Sequence, residues 1–148
     1  MRKRYALAFG LLVFLNLGFV SAQTLRGGVV TESLSGVPGD PVRGRTIIVS
    51  RQTGLCLLCH NGPFPEERFQ GNLAPDLSIS AANLSAPELR ARIMDASRFN
   101  PNTIMPSYYR DDHLYRVADK FKGQTILNAQ EIEDVVAFLV SMNKQDQK

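Results

Sequence analysis

Three segments of the chain have apolar and polar positions spaced as in a helix. The clearest lies near the C-terminus, where Ile132, Val135, Val136 and Leu139 recur at i, i+3, i+4 and i+7. Asn128 stands at the N-cap position and Glu131 three residues on, the spacing of a capping box, so a helix is expected to start there. Glu131, Glu133 and Asp134 crowd the positive end of its dipole, and Lys144 lies near or past the other end. A second helix is expected from the box Ser85-Ala86-Pro87-Glu88, through Leu89, Ile93 and Ala96 to about Arg98, where Asn100-Pro101-Asn102 breaks it. The third has Asp40 as N-cap and Pro41 at the first helical position, and runs to about Gln52 with Gly54 placed to end it. Its β-branched middle, Ile47-Ile48-Val49, leaves a strand as the competing reading. Between Asn61 and Asp76, Gly62, Pro63, Pro65, Gly71 and Pro75 leave no room for a regular element and imply a loop.

One further apolar stretch has no period. Tyr5 to Val20 is a run of 16 residues without a charge, preceded by Arg2-Lys3-Arg4 and closed by Val20-Ser21-Ala22. A helix needs roughly 20 apolar residues to cross a bilayer, and small residues precede Gln23 where a signal peptidase would cut. Residues 1–22 therefore read as a cleavable signal peptide, cut after Ala22, with residues 23–148 as one domain. Length and cleavage site both argue against the alternative, an uncleaved anchor, and no membrane span is expected in the mature chain.

Composition fits a single globular unit: 148 residues, 44% hydrophobic and 21% charged. The net charge of +3 hints at an anionic partner until the signal is set aside. Three of the 17 basic side chains leave with it, so 14 basic groups face 14 acidic ones. No basic surface for nucleic acid is then expected.

Export to an oxidising compartment makes a disulfide the default for two cysteines. Here they stand as Cys56-Leu57-Leu58-Cys59-His60, the C-x-x-C-H signature of c-type haem attachment. Thiols at i and i+3 leave one turn together, so each can add to one vinyl group of the porphyrin, and the adjoining imidazole supplies the fifth iron ligand. Three other readings compete. A thioredoxin-like dithiol lacks a strand-then-helix context and leaves His60 without a role. A zinc site needs a fourth ligand, for which only His113 or a carboxylate is at hand. A plain disulfide across two residues has poor geometry.

Candidates for the sixth ligand are Met94, Met105, Met142 and His113, with an open position or another group as the remaining alternative. Met105 lies in the loop Asn102-Thr103-Ile104-Met105-Pro106, and Pro106 biases it toward an extended backbone that can present the thioether. Met94 falls in a helical pattern and Met142 ends a core helix, where methionine fills gaps. His113 keeps the charged company of Asp111, Asp112 and Arg116, as on a solvated loop. Met105 is the expected ligand, and a His/Met pair suits one-electron transfer. No catalytic constellation is evident, since Glu66-Glu67 and Asp111-Asp112 are adjacent pairs in loops. Arg98, Arg110, Tyr108 and Tyr109 flank the Met105 loop and are candidates to hold haem propionates.

A helix before C-x-x-C-H, loops after it and an amphipathic C-terminal helix together resemble the all-α class I cytochrome c fold. In that fold the first and last helices cross closely around the haem-bearing core. Gly44 is the candidate small residue for the crossing, facing Phe138 or Leu139. The stretches Cys56 to Asp76, Asn100 to Arg110 and Ala129 to Leu139 resemble more narrowly the SoxX family, the monohaem subunits of the SoxAX cytochromes of thiosulfate oxidation. The resemblance implies helices and loops wrapped around one covalently bound haem c, attached at Cys56 and Cys59, with His60 and Met105 on the iron. It further implies a periplasmic, electron-accepting subunit of an L-cysteine S-thiosulfotransferase. SoxA would be the heterodimer partner bearing the catalytic cysteine, the SoxYZ carrier would be met through SoxA, and a small cytochrome c would be the downstream acceptor. A free-standing diffusible carrier of the same fold is the alternative, and Pro63 to Gly71 with the haem edge is the expected docking face.

Overall fold

The computed structural model describes residues 28–145, with side chains as far as Met142. The signal peptide and its cut after Ala22 lie outside the described residues, as does the Lys144 side chain. Among the described residues four α-helices follow one another: α1 (Pro41–Val49), α2 (Leu77–Ser80), α3 (Ala86–Met94) and α4 (Ala129–Gln145). Single 3₁₀ turns occupy Cys56–Leu58, Ala96–Arg98 and Asp119–Phe121, and no strand is present among the described residues. None of the described helices is long and apolar enough to cross a membrane.

The fold is organised by α4. Asn128 Oδ1 accepts from the Glu131 N–H at 3.0 Å while Glu131 Oε2 accepts from the Asn128 N–H at 2.8 Å, so the expected capping box is formed in both directions. Ile132, Val135, Val136 and Leu139 are all buried and face α1 and α3. Ile47 and Ile48 of α1, Leu89 and Ile93 of α3, Leu57 and Phe64 complete the core. Gly44 is buried against α4 with Phe138 beside it, which is the crossing the sequence implies.

Two expected helix ends need correcting. The first helix stops at Val49, three residues short of Gln52, because Ser50 Oγ accepts the N–H groups of Gln52 and Thr53 and turns the chain. Gly54 is therefore no helix cap. The helix begun at Ser85 stops at Met94, not Arg98: Asp95 is fully extended, with φ −158°, and its carboxylate caps a separate 3₁₀ turn through the Ser97 N–H. The short α2 lies just past the expected loop, where the sequence marks no element; Asp76 caps it by accepting from Ser78 N at 2.7 Å.

The acids of α4 also do more than offset a dipole. Glu133 and Asp134 are only 4% and 2% exposed. Glu133 takes a two-pronged contact from Arg90, at 2.7 and 2.8 Å, and the Leu34 N–H at 2.9 Å. Asp134 accepts from Arg43 at 2.7 and 2.9 Å, the Asp40 N–H at 2.8 Å and Gln130 at 2.9 Å. Burial alone would push the Asp134 carboxyl up, but these donors outweigh it and hold it below its ordinary value. Together they tie the lead segment, α1 and α3 to one helix.

Candidate functional site

The cysteine pair sits on a turn built for it. Leu55 enters at φ +60°, an uncommon conformation for a leucine, and Cys56 to Leu58 then close a 3₁₀ turn. The Cys59 and His60 N–H groups both donate to the Cys56 carbonyl, at 3.1 and 2.9 Å, so all three motif residues belong to one coil of chain. Leu57 is buried and pegs that coil into the core, while Cys56, Cys59 and His60 are half-buried.

The loop after the motif wraps back over it. Gly71 N–H donates to Leu57 O at 2.9 Å, and Leu73 and Ala74 N–H to Cys59 O at 3.0 Å. A Cβ at Gly71 would stand 2.4 Å from the Leu58 carbonyl oxygen, so only glycine lets the two segments approach this closely. Gln70 pins the same loop from inside, accepting from the Gly62 N–H and donating to Phe64 and Glu67 carbonyls. Of the expected docking stretch, Glu66 pairs with Arg45 and Phe69 is 80% exposed.

The loop also fixes the imidazole. His60 Nδ1 lies 2.6 Å from the Pro75 carbonyl oxygen, which can only accept. Nδ1 is therefore the donor, which in the neutral ring leaves the lone pair on Nε2, the atom a metal would bind.

The thiols are not bridged to each other. Burial pushes the Cys56 thiol up to about 11, the wrong direction for a dithiol redox nucleophile. Cys56 Sγ donates to Gly54 O at 3.3 Å, and the Tyr108 hydroxyl donates to the same oxygen at 2.7 Å. Burial and the neighbouring Cys56 push the Tyr108 phenol well above its ordinary value, so it stays a donor. Tyr108 lies three residues past Met105, and this shared carbonyl joins the methionine segment to the cysteine turn.

Met105 is half-buried against the core and its N–H donates to Thr103 Oγ1 at 3.1 Å. Met94 is half-buried at the end of α3 and Met142 is 7% exposed in the core. His113 is exposed, 3.7 Å from Asp112 on the surface. Among the residues considered for propionates, Arg98 and Arg110 turn to Asp95 and Tyr108 to Gly54, while Arg110 Nε is buried without a partner. Sequence reading missed the ring-fixing Pro75 carbonyl and the Asp95 cluster; neither has a local signal.

The donor set fits a haem c: two unbridged thiols and a histidine with free Nε2 on one turn, and a thioether in a loop tied to that turn. Apolar Leu58, Leu73 and Ile104 are exposed on those same segments.

Neither a protein-family model nor a curated protein sequence matches this chain. A solved structure does: SoxXA from P. pantotrophus, 37% identical, with a TM-score of 0.71 over 78% of this chain and 90% of that one. That identity, carried over nearly the whole of the related chain and joined to the helical fold and the C-x-x-C-H turn, places this chain in the SoxX family of Sox-system cytochrome subunits.

Proposed function

We propose that this chain is the electron-accepting monohaem subunit of a SoxAX complex, with a class I cytochrome c fold wrapped around one haem c. The observation that carries the reading is the His60 ring, held by Pro75 with Nε2 free, directly after the two cysteines. Cys56 and Cys59 would attach the haem through thioethers, and His60 and Met105 would ligate its iron. When bound, the haem supplies a one-electron iron couple. The chain's own residues supply rigidity: Leu57 anchors the turn, Pro75 orients the imidazole, and Tyr108 ties the methionine segment to the cysteines.

With both thiols consumed in attachment, no nucleophilic cysteine remains on this chain. Its part in the L-cysteine S-thiosulfotransferase is thus to accept electrons, while the catalytic cysteine belongs to SoxA. The SoxYZ carrier is met through SoxA, and a small cytochrome c takes the electrons onward. Residues 1–22 direct the chain to the periplasm.

The test is expression through a haem-attachment pathway, alone and with SoxA. Haem staining on a denaturing gel is expected for the wild type and lost when both cysteines become alanine. Co-elution with SoxA on a sizing column is expected; a monomer beside SoxA would make the chain a free-standing carrier. Met105→Ala should keep the stain but lose the thioether-to-iron band at the red end of the oxidised spectrum; a band that persists would move the sixth ligand to another methionine, Met94 or Met142, and a wild-type protein without the band would point to His113.

A further inference from the structure

Asp95 stands outside the proposed ligand set, yet a convergent cluster of donors is built on it. It follows α3 directly and is 4% exposed. Its Oδ1 accepts from Ser97 N–H at 3.2 Å, Ser97 Oγ at 2.5 Å and Ser107 Oγ at 2.7 Å. Its Oδ2 accepts from Arg98 Nε at 3.3 Å and Arg110 Nη1 at 2.7 Å. Ser97 and Arg98 are neighbours in sequence and serve to fix the carboxylate. Ser107 and Arg110 come from the other side, from the segment that carries Met105.

The spacing matters. Pro106 separates Met105 from Ser107 and has no N–H to offer. The Ser107 hydroxyl is thus the first side-chain tether after the methionine. Backbone bonds from Tyr108 and Tyr109 to the carbonyls of Ile93 and Met94 lay the chain along the end of α3, but they act beyond Ser107. Before the methionine, the Thr103 contact lies within the same loop. A charged acceptor buried in the core makes a stronger and better-oriented anchor than a neutral one.

We propose that Asp95 is the positioning residue for the methionine ligand: through Ser107 and Arg110 it sets where Met105 sits and resists its displacement from the iron. This rests on Met105 being that ligand.

The experiment is an imidazole titration of the purified haem-loaded protein, followed by loss of the thioether-to-iron band. Ser107→Ala is expected to bind imidazole roughly tenfold tighter, the effect of losing one hydrogen bond to a charged group. Ser107→Thr should restore the wild-type value. Arg110→Gln removes the second tether and should tighten binding as well. Asp134→Asn damages a buried carboxylate cluster at the α1–α4 crossing; it should lower the denaturation midpoint and leave imidazole affinity alone. Unchanged affinity in both Ser107→Ala and Arg110→Gln, or equal tightening in Asp134→Asn, overturns the positioning role while Met105 remains the ligand. A wild-type protein without the band overturns Met105 ligation, and the positioning role with it.

Discussion

Gly44 of α1 lies against the Asp134 carbonyl of α4, so close that a Cβ at Gly44 would stand 1.9 Å from that oxygen. Two effects oppose each other at this position. Alanine is about 1 kcal/mol better than glycine inside a helix. The clash is with backbone, which cannot rotate away, and overpacking of this kind costs about 1–3 kcal/mol or more. Gly44→Ala is therefore expected to destabilise the protein, by up to about 2 kcal/mol, read from denaturant unfolding of the haem-loaded protein. A gain in stability would mean that the helices can separate freely.

Arg90 and Glu133 form the deepest ion pair described, with side chains 8% and 5% exposed. Arg90 also donates to the Val30 carbonyl at 2.6 Å, and Glu133 accepts from Leu34, so the pair holds the lead segment against α3 and α4. Removing one partner leaves a buried charge, and about 3–5 kcal/mol should be lost in Arg90→Met or Glu133→Leu. The double variant should recover a large part of that loss. A double-mutant cycle measures it, and simple additivity would show that the two groups do not depend on each other.

Asp95 gives the fold a defined acid limit. Burial opposes its charge, but Ser97, Ser107, Arg110 and Arg98 outweigh burial and hold the carboxyl down to about 2, against an ordinary 3.8. A depressed folded-state value adds stability that is complete above the unfolded value and is lost as pH falls toward the folded one. The contribution is on the order of 2 kcal/mol, lost between about pH 4 and pH 2. Asp134, held low by Arg43, acts in the same direction. Asp95→Asn should flatten the stability-against-pH curve in that window; an unchanged slope would assign the acid transition to other carboxylates.

What the sequence disclosed was whatever a short stretch can encode. The α4 stripe from Ile132 to Leu139, both capping boxes and the C-x-x-C-H turn each depend on residues within about one or two turns of chain. Helix ends were misplaced where one polar side chain captured the backbone, Ser50 after α1 and Asp95 after α3. Glu133 and Asp134 read only as acids at the positive end of a helix dipole because their partners Arg90 and Arg43 lie 43 and 91 residues away. The His60–Pro75 contact was hidden for a similar reason: a backbone carbonyl has no side-chain identity to read.

Tyr108 links the two halves of the proposed haem site, and its hydroxyl is the part to test. The Gly54 carbonyl accepts from Tyr108 at 2.7 Å and from the Cys56 thiol at 3.3 Å. Once Cys56 is a thioether it has no proton to give, which leaves Tyr108 as the side-chain donor to that buried oxygen. Tyr108→Phe keeps the ring and its packing but strands the carbonyl, a loss of about 1–3 kcal/mol. Because Tyr108 N–H also bonds Ile93 O and its carbonyl takes Leu127 N–H, both through backbone, the segment itself should stay in place. The expected result is a lower denaturation midpoint with haem stain and the thioether-to-iron band retained. If stability is unchanged, the hydroxyl does not bear on the turn; if the band disappears, Tyr108 holds Met105 more directly than its bond to Gly54 implies.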